Sequence, residues 1–519
     1  MRSPRNSAIL GAALALAAFV AEAAPDAPAL YREHCAACHG ADRLGETGPA
    51  LLPENLGRLK PEAAAQIIAG GRPASQMTGF ADRLGTDEIA ALAKLIYTPI
   101  PVPEWGEKQI AESRIIHNEA TALPRRPVHA ADPLNLFTVV EIGDHHVTIL
   151  DGDRFEPLWR FPSRIALHGG AKYSPDGRFV YLASRDGWVA KYDLYGLMPV
   201  AEARVAVNTR NIAISADGRT LIAGNVLPPT LVILDAGDFS VRKVIAVTGD
   251  KGVASRVSAV YNAAPRQSFI VALRDIPEIW EISYADNPRP VPVGLIHNHE
   301  EGLKEGAFDR GPFPVRRIRL EESIDDFFFD PSYANLIGAS RDGGRGQVVN
   351  LNVGRKIAEV ALPGMPHLGS GITFEYEGRL VLATPHLKEG AVSIVDMKDW
   401  RTIKRIATAG PGFFMRSHEN TPYAWIDSFL SPAKDTLQVI DKRTLEIVRA
   451  VTPAPGRTAA HVEFTRDGRY ALVSVWEDDG ALVVYDAATF EEVKRLAMRK
   501  PSGKYNVHNK ITRSAGTSH

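Results

Sequence analysis

The stretch SPDGRFVYLASRDGWVAKYDL, residues 174–194, contains the unit that decides the fold of this chain. It begins with an Asp-Gly turn, continues as an apolar strand, turns again at a second Asp-Gly pair and ends in another apolar strand, which is typical of a β-hairpin. Two further units have the same order: SADGR before TLIAGNVLPPTLVILD at 215–235, and RDGR before YALVSVWEDDGALVVYD at 466–486. The chain therefore repeats a unit of short strands.

Weaker copies of this unit bring the number to eight, and a longer stretch after the fourth copy is expected to be a surface insertion. At spacings of about 40 to 50 residues, these copies lie at residues 136–161, 263–285, 330–360, 376–406 and 420–450. Repeats of this length with several strands each indicate propeller blades, whereas an array of β-sandwiches gives no reason for a near-constant period. We predict an all-β eight-bladed propeller over residues 125–519.

The pentapeptide CAACH, residues 35–39, is the attachment signature of a c-type haem. Cys35 and Cys38 can each form a thioether to a porphyrin vinyl group, and His39 is then placed to bind the iron. The chain has two cysteines in all, and this motif uses both. A structural zinc site would need more ligands at paired spacing, and a thioredoxin-type CxxC would not need the histidine. The motif predicts one covalent haem c.

We expect a small all-α class I c-type cytochrome domain at residues 24–98. One helix leads into the haem motif, and a second begins at Thr86, which we expect to be its N-cap. Met77 lies in a glycine-rich loop between them, where small c cytochromes keep the sixth iron ligand, although methionine more often fills a core. We predict that His39 and Met77 are the axial ligands. Such an iron has no open position, so this domain transfers electrons.

The N-terminus has the pattern of a secretory signal peptide. Residues 1–23 combine a basic start, an apolar stretch that is too short to span a bilayer, and the small-x-small sequence AEA. Residues 99–124 begin with alternating prolines and are expected to form a linker between the domains. We therefore expect export to the periplasm and no membrane span.

Length and charge narrow the classes of function. A chain of 519 residues exceeds what one hydrophobic core usually contains, so at least two domains are expected. The formal net charge of -1 gives no electrostatic footprint for nucleic acid or anionic lipid. Small ligands and electron-transfer partners remain.

The order of a c-type cytochrome and an eight-bladed propeller resembles the haem c/haem d1 protein family, which includes the periplasmic nitrite reductase and accessory proteins for making haem d1. The resemblance covers nearly the whole chain after residue 23. The motifs that carry it are ALHGG at 166–170, SRDGWVAKYDL at 184–194, NTRNIAIS at 208–215, SRV at 255–257, PHLGSG at 366–371, VSVWEDDGALVVYD at 473–486 and PSGKYNV at 501–507.

The resemblance implies a pocket for haem d1 in the propeller channel. His168 matches the proximal ligand of the haem d1 iron. Arg185, Arg210 and Arg256 match residues that hold the carboxylates of the macrocycle, a role to which guanidinium groups are suited because they bind carboxylates in a bidentate manner. Trp476 is expected to pack near the ring.

Departures from the reductase pattern indicate which member of the family this chain resembles most. The reductase places two histidines above the d1 iron. His367 matches one of them, whereas the other falls in residues 331–334, where this chain has Tyr333, and this difference weakens a nitrite reductase assignment. His461 and Tyr505 stand where the reductase has non-basic residues, and they match the catalytic residues of the family member that oxidises the d1 precursor.

The implied activity is oxidation of a propionate side chain of dihydro-haem d1, the substrate, to the acrylate of haem d1. His461 would take a proton, Tyr505 would position it or relay a second proton, and His367 would cap or orient the distal face. Electrons would leave through haem c to a periplasmic acceptor. Two alternatives stay open: a haem c/d1 nitrite reductase, and a non-enzymatic carrier that delivers haem d1 to the reductase.

Overall fold

A computed structural model gives the fold of the chain. The residues that it describes are 24–46, 48–57, 59–71, 77–167, 169–249, 251–297, 304–339 and 344–512. The signal-peptide pattern at 1–23 lies outside these described residues. Within them, the chain forms a helical N-terminal domain followed by β-sheets.

The N-terminal domain packs its first and fourth helices on its last one. Ile89, Leu92 and Ile96 recur at helical spacing on that last helix and are buried against Tyr31 and Ile68. The helices are α1 (Ala27–His34), α2 (Ala36–His39), α3 (Pro53–Leu56), α4 (Pro61–Gly70) and α5 (Thr86–Ile96), and α6 (Glu107–Ser113) follows the domain.

The N-cap of α5 is Gly85. The Glu88 carboxylate accepts a hydrogen bond from the Gly85 amide at 2.8 Å, and Thr86 is the first residue inside the helix. The expectation that Thr86 caps this helix is therefore wrong by one residue, because a carboxylate three residues into the helix already satisfies the amide that precedes it.

The rest of the chain folds into antiparallel sheets. Those of the first half contain β1 (Ile115–Ile116), β2 (Leu136–Glu141), β3 (His146–Asp151), β4 (Glu156–Pro162), β5 (Lys172–Tyr173), β6 (Phe179–Ala183), β7 (Trp188–Asp193), β8 (Met198–Arg204), β9 (Asn208–Ile214), β10 (Thr220–Leu227), β11 (Thr230–Asp235), β12 (Val241–Ala246), β13 (Val257–Ala263), β14 (Ser268–Leu273), β15 (Glu278–Ser283), β16 (Val291–His297), β17 (Lys304–Asp309) and β18 (Val315–Arg319).

Four sheets make up the second half. Their strands are β19 (Asp326–Phe329), β20 (Asn335–Ala339), β21 (Arg345–Asn350), β22 (Arg355–Ala361), β23 (Ile372–Tyr376), β24 (Arg379–Pro385), β25 (Ala391–Asp396), β26 (Thr402–Ala407), β27 (Met415–Ser417), β28 (Tyr423–Asp427), β29 (Leu437–Asp441), β30 (Glu446–Val451), β31 (Ala459–Phe464), β32 (Tyr470–Val475), β33 (Gly480–Asp486) and β34 (Glu492–Met498). The last strand, β35 (Pro501–Asn506), belongs to the sheet of β2, β3 and β4.

These sheets are eight blades, so the predicted eight-bladed propeller is confirmed. Blade 1 has the order β35-β2-β3-β4, and blade 2 is β5 to β8 with β1 on its outer edge. Blades 3 to 8 begin with β9, β13, β19, β23, β27 and β31. The last strand of the chain pairs with the first blade, with Val139 opposite Lys504, and this pairing closes the ring.

The predicted insertion is a hairpin. Strands β16 and β17 pair with each other, and they interrupt blade 4 between β15 and β18. The hairpin therefore lengthens this repeat without adding a blade.

The innermost strands of the blades surround a central channel. Innermost strands of neighbouring blades contact each other, as shown by the pairs β5 and β9, β9 and β13, β13 and β19, β23 and β27, β27 and β31, and β31 and β35. Helix α7 (Val507–Thr512) follows β35 directly and packs against β5 and β2. Side chains on the inner strands therefore decide what the channel can hold.

Residues 99–124 were expected to form a linker. From Trp105 onward this stretch packs on the propeller. Helix α6 lies against β8 and β12, and β1 pairs with β8. The Trp105 indole donates a hydrogen bond to the Arg204 carbonyl at 2.9 Å. The alternating prolines at 99–103 therefore precede a docked segment.

Candidate functional site

His461 occupies a β-bulge on the innermost strand of blade 8. Its neighbours Ala460 and Val462 pair with Ser474 and Val473, so His461 is left without a partner in the ladder. Its φ is +56°, which is uncommon for a residue other than glycine. Bulges of this kind redirect a side chain, and they are frequent beside active sites.

A buried carboxyl group holds this bulge against blade 7. Asp427 accepts hydrogen bonds from the backbone amides of Phe413 at 2.8 Å, Phe414 at 3.2 Å and His461 at 3.3 Å. Burial raises the pKa of Asp427 to about 7, although these amides act in the opposite direction. Asp427 therefore fixes the relative position of the loop before β27 and the bulge of β31.

Tyr505 stands beside His461 on the strand that closes the ring. The two rings lie 5.2 Å apart at 80°, an edge-to-face arrangement. The Tyr505 carbonyl accepts a hydrogen bond from the Tyr173 hydroxyl at 3.0 Å, which ties blade 1 to blade 2. Burial raises the pKa of the Tyr505 hydroxyl, so it keeps its proton near neutral pH. The predicted pair of His461 and Tyr505 is brought together.

The His461 imidazole is neutral and has a free ring nitrogen. Its side chain is 1% exposed, and its Nε2 has no hydrogen-bond partner among the described residues. Burial lowers the pKa of His461 well below 6.5, and the cations Lys504, Arg416 and Lys510 lower it further. Near neutral pH this imidazole can therefore accept a proton, provided that the proton it already carries is on Nδ1.

His367 lies in the same region. Its Nδ1 donates to the Phe413 carbonyl at 2.6 Å, and its ring lies 4.0 Å from the Phe413 ring. Its Nε2 is 3.9 Å from the Asp326 carboxylate. Burial lowers the pKa of His367, whereas Asp326 acts to raise it.

Tyr333 stands where the resemblance places the second distal histidine of the reductase. Tyr333 lies in the turn after β19, where its ring packs against Phe329. Asp326, at the opposite end of the same short strand, is the residue beside His367.

Aromatic side chains connect the two histidines and Trp476. The Phe414 ring lies 4.7 Å from the His461 ring and 4.6 Å from the Phe413 ring. Phe429 lies 5.6 Å from Trp476. The Trp476 indole nitrogen is buried and has no hydrogen-bond partner among the described residues. Together these rings make an apolar wall against which a flat macrocycle can pack.

The three arginines lie on the loops and strands of blades 2, 3 and 4. Arg185 is in the turn between β6 and β7, and Arg210 donates to the Ser258 carbonyl at 2.6 Å. Arg256 makes a bidentate contact with Asp275, at 2.5 to 3.2 Å, which raises the pKa of the guanidinium. Asp275 therefore orients Arg256 and would compete with a carboxylate ligand for it.

His168 lies outside the described residues, and the structure places only its surroundings. Leu167 forms a bridge with Ser184, and Gly169 has φ +84°. A Cβ on Gly169 would lie 2.8 Å from the Asn211 side chain, so this loop must approach blade 3 closely.

Several basic side chains lie close together on the inner strands near His461 and on the helix that follows them. The channel carries Lys172 and Lys504 on β5 and β35, Lys510 on α7 and Arg416 on β27. The Glu463 carboxylate is 3.9 Å from Arg416. Burial, and then Arg416, lower the pKa of Lys172 to about 7. Such a channel suits a ligand with several carboxylates.

The cytochrome domain presents the residues that a c-type haem needs. Cys38 is exposed, and Cys35 is partly buried against the core of the domain. His39 Nδ1 donates to the Pro49 carbonyl at 2.8 Å, which leaves Nε2 for iron. A Cβ on Gly48 would lie 2.8 Å from this imidazole, so the loop needs glycine there. Met77 is partly buried against the core of the domain. The donor set fits haem c.

Two histidines that the sequence left unassigned have structural partners. His386 is fully buried with its Nε2 2.8 Å from the Ser393 hydroxyl. His418 Nε2 is 3.1 Å from the Arg466 carbonyl, so it joins blade 7 to blade 8.

Sequence reasoning missed Asp427 and Lys504. Lys504 immediately precedes Tyr505 in PSGKYNV, and its Nζ contacts the His461 carbonyl and lies 3.4 Å from His461 Nδ1. The lysine in an otherwise small and polar strand was the available signal. Asp427 had none, because an aspartate at the end of an apolar strand is also the usual residue of a turn.

The described residues contain neither a cluster of metal-binding side chains nor a membrane-spanning helix. No group of three or more His, Cys, Asp or Glu side chains is placed to hold a metal ion there. No helix among the same residues is both long and apolar enough to cross a membrane.

One of the solved structures that are similar to this protein contains a bound ligand. A structure of dihydro-heme d1 dehydrogenase NirN in complex with DHE matches this fold with a TM-score of 0.87 and 54% identity, over 93% of this chain and 99% of that one. The all-α cytochrome followed by an eight-bladed propeller is therefore shared with an experimentally determined relative.

Comparison with known sequences gives the same family along nearly the whole chain. Dihydro-heme d1 dehydrogenase of Pseudomonas aeruginosa is 54% identical over 98% of this chain and 100% of its own length. Nitrite reductase of Stutzerimonas stutzeri is 26% identical over 96% of each chain. The model of the Cytochrome C oxidase, cbb3-type, subunit III family matches residues 22–96, and that of the Cytochrome D1 heme domain family matches residues 131–510. The chain therefore belongs to the Cytochrome D1 heme domain family, with a c-type cytochrome domain in front of that domain.

Proposed function

We propose that this protein is a dehydrogenase that oxidises a propionate side chain of dihydro-haem d1 to the acrylate of haem d1. The observation that carries the proposal is the buried, neutral His461, turned by a bulge toward Tyr505 with its Nε2 available. The relative at 54% identity, which is named a dihydro-heme d1 dehydrogenase, supports the same substrate. A nitrite reductase is a much more distant relative at 26% identity.

The chain binds the substrate through charged hydrogen bonds to its carboxylates and through packing of an aromatic side chain on the face of the macrocycle. Arg185, Arg210 and Arg256 hold carboxylates of the macrocycle, and Trp476 packs against its face. His168 is proposed as the axial ligand of its iron. His367, held by the Phe413 carbonyl, caps the opposite face and orients the side chain to be oxidised.

His461 is proposed as the catalytic base. Oxidation of propionate to acrylate breaks one C–H bond on each of two adjacent carbons, forms a C=C bond, and releases two protons and two electrons. His461 Nε2 takes one proton, which its low pKa permits near neutral pH. Tyr505 keeps its own proton and positions the reacting side chain beside the imidazole, or relays the second proton.

The cytochrome domain is proposed as the outlet for the electrons. Haem c, when held by Cys35, Cys38, His39 and Met77, supplies a one-electron oxidant. The final acceptor is then a one-electron carrier outside the protein. The signal-peptide pattern at residues 1–23 supports a periplasmic location for this protein and its acceptor. The haem c/d1 nitrite reductase is the proposed recipient of the finished haem d1.

The experiment that tests the function is a mass measurement. Purified holoprotein is incubated with dihydro-haem d1 and a one-electron acceptor, and the macrocycle is extracted and weighed before and after. Loss of two hydrogens, with two equivalents of acceptor reduced, is expected. Transfer of the pigment at unchanged mass would instead identify a carrier, and rapid turnover of nitrite by the reduced protein would identify a nitrite reductase.

A further inference from the structure

Lys504 is a buried lysine in direct contact with the proposed base. It is 0% exposed, on the innermost strand of blade 1. Its Nζ contacts the His461 carbonyl, lies 2.9 Å from the Ser474 hydroxyl and is 3.4 Å from His461 Nδ1. These three contacts surround the amine, and each has a distinct chemical role.

The protonation state of Lys504 decides which nitrogen of His461 carries a proton. A carbonyl oxygen only accepts, so one N–H of Lys504 is directed to the His461 carbonyl, and a second is directed to Ser474. A neutral amine then has its lone pair left for the third neighbour, which must be Nδ1–H. An ammonium would instead donate to Nδ1 and force the proton onto Nε2, where it would block a base.

The surroundings of Lys504 favour the neutral amine. Burial lowers its pKa well below 10.5, and Arg416 lowers it further, whereas Glu463 and Asp427 raise it. The same carboxyl groups would stabilise the ammonium once a proton arrives. The ionisable groups that face Lys504 and His461 are Arg416 on β27, Asp427 on β28, Glu463 on β31, Tyr505 on β35 and Lys510 on α7.

We propose that Lys504 is the positioning residue that makes His461 a base, by accepting a hydrogen bond from His461 Nδ1 and receiving that proton when Nε2 takes one from the substrate. In this step the substrate C–H bond breaks and an N–H bond forms at Nε2. The Nδ1–H bond breaks and an N–H bond forms at Lys504 Nζ, so one proton moves and the imidazole stays neutral. The electron pair leaves as in the dehydrogenation proposed above, on which this inference rests.

A merely structural role is the competing explanation, because Lys504 also supports the bulge through the His461 carbonyl. The tautomer of His461 separates the two roles. Lys504→Met keeps an unbranched side chain that is one atom shorter and removes the amine, with its lone pair and its capacity to take up a proton. Lys191→Met is the matched control, because Lys191 is also buried and donates to the Ala236 and Gly237 carbonyls at 2.9 and 3.0 Å, in the outer part of blade 2.

The test is nitrogen NMR of the histidine side chains in the holoprotein, together with turnover at several pH values. In the wild type, the His461 signal, assigned from its loss in His461→Ala, is expected as the Nδ1–H tautomer. In Lys504→Met it is expected to shift to Nε2–H, and the rate constant of dehydrogenation is expected to fall about 100-fold with unchanged binding of dihydro-haem d1. Lys191→Met is expected to keep both the tautomer and the rate.

Two results would overturn the inference. One is an Nε2–H tautomer of His461 in the wild-type protein, a result that does not depend on whether any variant folds. The other is a Lys504→Met protein that keeps the wild-type tautomer, rate and pH profile. If the wild type does not change the mass of the precursor at all, the proposed dehydrogenase activity fails instead, and the tautomer measurement still tests the contact between Lys504 and His461.

Discussion

The Asp186 carboxylate of blade 2 accepts a hydrogen bond from the backbone amide of Ala50 in the cytochrome domain, at 3.3 Å. Both residues are buried. Ala50 follows Pro49, whose carbonyl holds the His39 imidazole, and Asp186 follows Arg185 in the tight turn between β6 and β7. The proposed iron ligand of the first domain and a proposed substrate-binding arginine of the second are thus tied together by one hydrogen bond between neighbouring residues.

Arg204 secures this contact, and its removal should loosen the cytochrome domain. Its guanidinium donates to the carbonyls of Leu44 at 2.5 Å, Gly45 at 3.2 Å and Asp186 at 2.9 Å. Because hydrogen bonds to charged groups contribute about 1.5–3 kcal/mol each, loss of the two that reach Leu44 and Gly45 in Arg204→Met should destabilise the docked domain by about 3–6 kcal/mol. Denaturant unfolding followed at the haem c absorption measures this loss. Arg219→Met, at an exposed turn of blade 3, is the control, and equal curves for the two variants would refute the prediction.

Docking should also depend on pH through Asp186. Burial raises the pKa of Asp186 to about 6, against the effects of Arg204 and of the Ala50 amide. The pKa in the docked state is thus above the unperturbed value of about 3.9, so docking binds a proton. The docked state should gain stability as pH falls from about 7 toward 4, and lose it as pH rises through 6.

Asp186→Asn isolates this effect, because the amide oxygen still accepts from Ala50 but cannot titrate. Hydrogen exchange of the Ala50 amide, corrected for its intrinsic rate, should show stronger protection at pH 5 than at pH 7.5 in the wild type. The variant should show the same protection at both values. A wild type without this dependence would contradict the assignment to Asp186.

Met77 should set the potential of haem c. A thioether ligand raises the potential of a haem iron, so Met77→Ala should lower the midpoint potential and open a coordination position. Spectroelectrochemical titration measures the potential, and binding of an added ligand such as imidazole reports the open position. Met397→Ala, at a buried methionine of blade 6, should leave both unchanged. An unaltered potential in Met77→Ala would assign the sixth ligand to another residue.

Arg210 should contribute to affinity for the macrocycle. Its Nε donates to the Ser258 carbonyl, which aims the guanidinium. Loss of a charged hydrogen bond of about 1.5–3 kcal/mol predicts that Arg210→Met binds dihydro-haem d1 about 10- to 100-fold more weakly. Absorbance titration of the pigment measures the dissociation constant. Arg469→Met, on an exposed turn of blade 8, should bind normally, and equal affinity of both variants would exclude Arg210 from the pocket.

The architecture could be predicted from sequence because its signals are local. The Asp-Gly turn of residues 174–194 recurs in the clear repeats at 215–235 and 466–486, and a pair of apolar strands recurs in all eight copies, so eight copies give eight blades. The closing strand β35 was not predicted, since Pro501, Gly503 and Lys504 break the apolar alternation that marks the other strands. Its place is fixed by pairing with β2, more than 350 positions earlier in the chain, as between Val139 and Lys504.

Site residues could be predicted where the type of residue itself carries the chemistry. They could not be predicted where the geometry of the backbone gives a residue its role. His461 and Tyr505 could be named from a resemblance, and the structure brings them together. The bulge that turns His461, with its φ of +56°, leaves no pattern in the sequence. Lys504 looks like an ordinary cation until its three buried neighbours are known.

The central claim is that His461 removes a proton from the bound precursor, and one measurement tests it directly. Wild-type protein and His461→Ala protein, each loaded with one equivalent of dihydro-haem d1, are given the same one-electron acceptor. The mass of the extracted macrocycle is then followed over time. The account predicts loss of two hydrogens in the wild type and a retained mass in the variant, with the pigment still bound. Equal conversion by His461→Ala would contradict it.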